Sequence, residues 1–189
     1  MMGLGKDYKL VLLGDQRVGK SSIVNRLKHG NFEDNYEATI GVDFMSKRER
    51  YEDWNFRLLM WDISGQERFQ SLVPNLIRVS PVALIVYDIS KHFQTHLSRL
   101  HKFVQKEEAM SLLFLLVTRP ILLTKRQVTT EEGDNKACEF GALFMETSAK
   151  DRFNIQPLFS KIGSALHRNE ESCAKSSQAE HQLESSTKS

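Results

Sequence analysis

Eight consecutive residues, Gly14 to Ser21, carry the pattern G-x-x-x-x-G-K-S, and Ser22 follows. That spacing suits one kind of chemistry, the holding of phosphate groups. Gly14 and Gly19 let the backbone wrap, so that successive amides from Asp15 through Val18 and on to Ser22 point at phosphate oxygens. Lys20 reaches the terminal phosphates, and Ser21 offers a hydroxyl to Mg²⁺. A helix starting here adds the positive end of its dipole. Arg17 has two readings: its guanidinium reaches the γ-phosphate as a built-in cation, or it points to solvent. The second is favoured, because such a loop contacts phosphate through backbone amides. A second chemical stretch is Trp61-Asp62-Ile63-Ser64-Gly65-Gln66-Glu67. An aspartate at a strand end can hold Mg²⁺ through water, opposite Ser21. The Gly65 N–H can sense a γ-phosphate, and Gln66 can orient an attacking water.

These residues need elements to position them. Tyr8 to Leu13 is a short apolar run, read as a buried strand before the loop. Ile23, Val24 and Leu27 recur at helical spacing after it, and the helix should end near Gly30. Residues 31–41 read as a loop. Val42–Tyr51 and Asn55–Ile63 form a hairpin signal around Glu52-Asp53, although that turn lacks glycine. Ser64 to Asn75 begins as a loop and becomes a helix ending near Val79. Pro81 to Tyr87 and Leu112 to Val117 are buried strands. Phe93 to Ala109 and Thr130 to Phe140 read as helices, the latter capped at Thr129 or Thr130. Leu143 to Glu146 is a last short strand, and Ile155 to His167 a last helix. Strands alternating with helices predict an α/β fold: a mostly parallel sheet, one antiparallel edge strand from the hairpin, and helices on both faces.

Composition narrows the class. The chain has 189 residues, 26 Lys and Arg against 24 Asp and Glu, and a hydrophobic fraction of 40%. This fits one core-forming domain, expected over residues 1–168 and monomeric, and a net charge of +2 gives no footprint for nucleic acid. Cys138 and Cys173 make no disulfide framework. No long apolar run suggests a signal peptide or a membrane span. The six histidines show no metal-ligand spacing. Residues 169–189, rich in Ser, Glu, Gln and Lys, are expected to be a disordered tail.

Read together, GDQRVGKSS, ATIGVDF, WDISGQERF and ETSAK resemble a Rab-type small GTPase of the Ras superfamily, a P-loop NTPase with a six-stranded sheet. SLVPNLIR and KRQVTTEEG are similar to the branch that serves traffic at the Golgi. The resemblance implies GTP or GDP with Mg²⁺, slow GTP hydrolysis, and effector, exchange-factor and GTPase-activating partners. It implies that Lys20 and Gln66 are catalytic, and that Ser21, Thr39 and Asp62 serve the metal. Phe32 would pack on the guanine edge and Tyr36 would close over the phosphates. Ser148, Ala149 and Lys150 would bring backbone amides to the guanine carbonyl. Segments 32–44 and 64–79 would be the two switches. Phe44, Trp61 and Leu76 would belong to the apolar patch that effectors read.

The departures from that pattern are informative. The family reads guanine with N-K-x-D, and here the slot holds Thr118-Arg119-Pro120-Ile121. Arg119 can still lie along the base. Losing the Asn and the Asp carboxylate should cost about 3–5 kcal/mol of guanine binding, a few thousand-fold, with relaxed base choice. Ser64 stands where the family has Ala, beside the reacting centre. Leu76 replaces a Tyr in the effector patch. The final residues 185–189 contain no prenylation cysteine, so no stable membrane anchor is expected. A cytoplasmic protein, at Golgi membranes only when recruited, is the expectation. The alternatives are a pseudo-GTPase binding module and a small-molecule kinase sharing the phosphate loop. WDISGQERF fits a switch better than the latter.

Overall fold

A computed structural model describes residues 5–32, 35, 37–88, 112–118 and 126–186. Its centre is a six-stranded sheet in the order β2-β3-β1-β4-β5-β6. The strands are β1 (Lys6–Leu13), β2 (Val42–Tyr51), β3 (Trp54–Ile63), β4 (Val82–Asp88), β5 (Leu112–Thr118) and β6 (Leu143–Thr147). β2 pairs antiparallel with β3; the β1–β3, β1–β4, β4–β5 and β5–β6 pairs are parallel. The sequence explains the middle of this order. β4 reads Val-Ala-Leu-Ile-Val-Tyr-Asp and buries every side chain but the last, as a strand covered on both faces must. β2 lies at the edge, and its side chains alternate toward water.

Helices flank the sheet: α1 (Lys20–His29), α2 (Val73–Arg78) behind a 3-10 helix (Glu67–Leu72), α3 (Thr130–Glu139) and α4 (Ile155–Ser186). Alternate residues of β1 and β4 feed two cores. Leu10, Leu12, Leu84 and Val86 pack with Ile23 and Leu27 of α1 and with Leu158 and Ile162 of α4. Val11, Leu13, Ala83 and Ile85 pack with Ile77 of α2 and Ala137 of α3. Each fully buried aliphatic side chain contributes about 1.5–3 kcal/mol, so α1 is held by its apolar stripe rather than by propensity. Truncating Ile23 to Ala would cost about 2–5 kcal/mol. Gly30, in the left-handed region at φ 69°, ends α1, its amide bonded to the Arg26 carbonyl.

The structure moves several boundaries. β1 starts two residues earlier than its apolar run, because Lys6 and Asp7 still pair with Phe56 and Arg57. The hairpin turns without glycine because Glu52 itself takes φ 52°. Arg50 braces that turn through the Glu52 carbonyl (2.6 Å) and Asp53 (2.8 Å). α3 opens on a capping box between Thr129 and Glu132. The expected helix over 93–109 lies outside the described residues. α4 runs to Ser186, past its expected end near His167. No glycine or proline follows Gly163, and Ala, Glu, Lys and Gln are good helix formers, so nothing local stops it. Lys6 also bonds Glu170 at 2.6 Å, tying the extension back to β1. Among the described residues no helix is long and apolar enough to cross a membrane.

Candidate functional site

β1 carries the chain from the middle of the sheet into the phosphate loop. Gly14 has φ 144°, and a methyl group there would lie 2.1 Å from the Val86 carbonyl oxygen, so only glycine fits. Arg17 holds φ 66°, a strained choice for a residue with a side chain. Val18 turns inward and joins the core. Gly19 takes φ 97° and caps α1 with no side-chain hydrogen bond, leaving the helix's first amides for a ligand. The Lys20 side chain is 6% exposed and donates to the Gly14 (2.9 Å) and Asp15 (2.7 Å) carbonyls. Burial pushes its pKa from 10.5 down to about 8, against the pull of Asp62 and Asp15. A buried cation whose hydrogen bonds go to carbonyl dipoles suits an anionic ligand.

Three elements meet beside it. Ser21 of α1 and Thr39 of the following loop share a hydroxyl–hydroxyl hydrogen bond of 2.8 Å. Ser21 also donates to the Asp62 carboxylate at the end of β3, and Thr39 does so at 3.3 Å. Asp62 is 1% exposed, and its other carboxylate oxygen is buried without a hydrogen-bond partner. Desolvation raises its pKa, while Ser21, Lys20 and Thr39 oppose that rise. Two hydroxyls and a carboxylate with a spare oxygen are the hard oxygen donors that Mg²⁺ prefers, so the residues fit the ion. A cavity of about 390 Å³ opens over this cluster. Its walls include Arg17, Ser22, Phe32 and Gly65.

The segment after β3 closes one wall. A methyl group on Gly65 would sit 2.2 Å from the Gln16 nitrogen, so Gly65 lies directly on the phosphate loop. Ser64 is buried; its amide donates to the Gly41 carbonyl (2.9 Å) and its hydroxyl accepts from the Gln66 amide (3.4 Å). The Gln66 side-chain oxygen accepts from Arg68 Nε at 2.7 Å, and Arg68 stacks on Phe69.

Strand, glycine loop and helix, with a threonine and an aspartate closing on the loop's serine, form one site. Residues 9–168 match the model of the Ras family. The chain belongs to the Ras family. It is therefore a small-GTPase domain, a GTP-binding switch of a family that binds GTP or GDP, typically with Mg²⁺, and answers to regulators and effectors.

In this Ras-family domain the residues expected at the base are held differently from the phosphate loop. Phe32 has Arg26 Cζ 5.9 Å and Lys150 Nζ 5.8 Å from its ring centre. Ser148 spends its amide on the Phe153 carbonyl (3.0 Å) and its hydroxyl on Asp151 (2.9 Å). Thr118 turns its hydroxyl to the Tyr87 carbonyl (3.1 Å), and its methyl lies 3.2 Å from where a Gly19 side chain would begin. It braces the phosphate loop from behind. Tyr36, Arg119 and Ile121 lie outside the described residues. Of the apolar patch, Phe44 is 49% exposed and packs on Trp61, the ring centres 4.8 Å apart and the planes tilted by 52°. Trp61 and Leu76 are half-buried against the second core, which the aromatic and aliphatic types alone do not distinguish from surface.

Asn25, Asn35 and Glu37 also line the cavity, and sequence reasoning passed over them. Asn25 had a signal: it stands four residues after Ser21 on α1, hence on the same face. Asn35 and Glu37 sit in a loop without a periodic signal.

Proposed function

We propose that this Ras-family domain is a Rab-type switch in vesicle traffic that binds guanine nucleotide with relaxed base choice and slowly hydrolyses GTP to GDP and phosphate. The observation that carries it is the meeting of Ser21, Thr39 and Asp62. A switch needs a mobile segment whose threonine reports on the phosphates, and Thr39 stands bonded to the phosphate-loop serine. Lys20 stabilises the phosphates through charge-assisted hydrogen bonds. Ser21, Thr39 and Asp62 would hold Mg²⁺, which neutralises charge on the phosphate oxygens when bound. Gln66 orients the attacking water once it leaves Arg68, and the buried Ser64 hydroxyl beside it slows that step. Effectors read the exposed Phe44 edge and the adjoining Trp61 and Leu76. The working place is the cytoplasm, with Golgi membranes reached through partners.

A pseudo-GTPase reading draws on two observations: the Thr118 hydroxyl is spent on Tyr87, and the Gln66 side-chain oxygen accepts from Arg68. One experiment separates the two. Purified protein is denatured and the released nucleotide identified by chromatography and mass, then GTP, ATP and XTP compete for the emptied protein. GDP or GTP near one per chain supports the switch. An empty site, or one that GTP fails to fill with Mg²⁺ present, sinks it.

A further inference from the structure

Arg26 stands on α1, outside the phosphate loop and among none of the expected site residues. Its guanidinium donates to three backbone carbonyls on two segments. Nε reaches the Ala149 carbonyl at 2.6 Å, one terminal nitrogen the Gly30 carbonyl at 2.5 Å, and the other the Lys150 carbonyl at 3.2 Å. The same group lies 5.9 Å from the centre of the Phe32 ring. One planar fork therefore joins the end of α1, the ring beside the cavity, and the loop between β6 and α4.

We propose that Arg26 is the residue that positions the base-binding end of the site, setting the loop 148–150 and Phe32 in register with the phosphate loop for a purine nucleotide. The peptide bonds are trans, so a carbonyl drawn toward Arg26 sends the N–H of the same peptide the other way. Holding the Ala149 carbonyl thus fixes the heading of the Lys150 amide, and α1 transmits that heading to Lys20 and Ser21 one and a half turns away. The loop is stiff within itself. Ser148 and Phe153 exchange backbone hydrogen bonds at 3.0 Å, and Asn154 bonds the Glu146 carbonyl at 2.9 Å. Arg26 decides where that stiff unit sits. Lysine cannot substitute, because a single ammonium lacks the fork that spans three carbonyls. The need is sharpened here because Thr118 turns its hydroxyl to Tyr87 and Ile121 has no carboxylate, which shifts base readout toward backbone amides.

The proposal rests on the guanine-nucleotide reading above, so the test carries two readouts on the full chain. The variants are Arg26→Met and Arg26→Lys. Calorimetry compares GDP, ADP and Mg²⁺–tripolyphosphate, and hydrogen exchange follows the amides of 148–151 and of the phosphate loop. Expected for Arg26→Met are a GDP Kd raised at least tenfold, a collapsed GDP-to-ADP preference, and a tripolyphosphate Kd within twofold of the parent. Exchange at 148–151 should quicken at least tenfold while the phosphate loop stays protected. Arg26→Lys should recover less than half of the loss on a logarithmic scale. Equal weakening of GDP and tripolyphosphate, or unchanged exchange at 148–151, overturns the proposal. If the parent binds tripolyphosphate but neither GDP nor ADP, the switch reading fails on its own, and exchange alone decides the role of Arg26.

Discussion

The two ends of the nucleotide site are built by different means. At the phosphate end, contiguous residues 14–22 wrap backbone around a buried lysine, and Ser21, Thr39 and Asp62 interlock within 3.3 Å. At the base end, Arg26, Phe32 and the loop 148–150 come from three segments and meet through one exposed-edge guanidinium. On the proposed reading the contrast separates affinity from selectivity: charge and close packing supply the first, and a single side chain with a few amides supplies the second.

The strongest way to break the contrast is to rebuild the base end. Thr118→Asn with Ile121→Asp should tighten GDP binding by about 3–5 kcal/mol, a few thousand-fold, with ADP nearly unmoved. Competition calorimetry checks this; equal gains for both bases would show that the pair acts on stability alone. Removing the phosphate end comes next. Lys20→Met should weaken Mg²⁺–tripolyphosphate by about 3 kcal/mol or more, over a hundredfold. The same change relieves a desolvated charge, so the melting temperature of the ligand-free protein should hold or rise. Gly65→Ala must push the segment after β3 off the phosphate loop. About a tenfold loss for a non-hydrolysable GTP analogue, with GDP within twofold, is expected from titrations of both. Thr118→Val keeps the methyl against Gly19 and deletes the bond to Tyr87. A loss of about 1 kcal/mol in urea unfolding is expected, with unchanged base preference; altered preference would make Thr118 a base reader.

The smallest effect lies far from the site and serves as a control. Glu170 has its pKa held below the usual 4.5 by the Lys6 hydrogen bond, against a desolvation penalty. A depressed carboxylate contributes stability that is present above its unfolded value and lost as pH falls through its folded one. Below about pH 4.5 the tie of α4 to β1 should weaken, by under about 1 kcal/mol because both groups are partly exposed. Comparing the parent with Glu170→Gln between pH 7 and pH 3 measures it; identical pH profiles would remove the tie from the account.

Much of the fold was legible for simple reasons. β4 and β5 are unbroken apolar runs, α1 repeats Ile23, Val24 and Leu27 at helical spacing, and the phosphate loop is contiguous in sequence. The Arg26 brace was not legible. Arg26 looks like any basic residue on a helix, and its partners at Ala149 and Lys150 are 123 and 124 positions away. The Gln66–Arg68 bond depends on which rotamer the turn allows, which spacing does not encode. The reach of α4 was missed because polar composition was weighed above helix propensity and above the absence of any glycine or proline stop after Gly163.

The way β1 enters the site has a consequence for timing. Leu10 to Leu13 are at most 1% exposed and divide between the two cores, so the phosphate loop hangs from a strand buried on both faces. Opening it means parting both cores, an event close to global unfolding. The Arg26 junction can open with both cores intact. A bound nucleotide would then leave in a fixed order, base first and phosphates last, and the clock for the whole departure would run at the arginine.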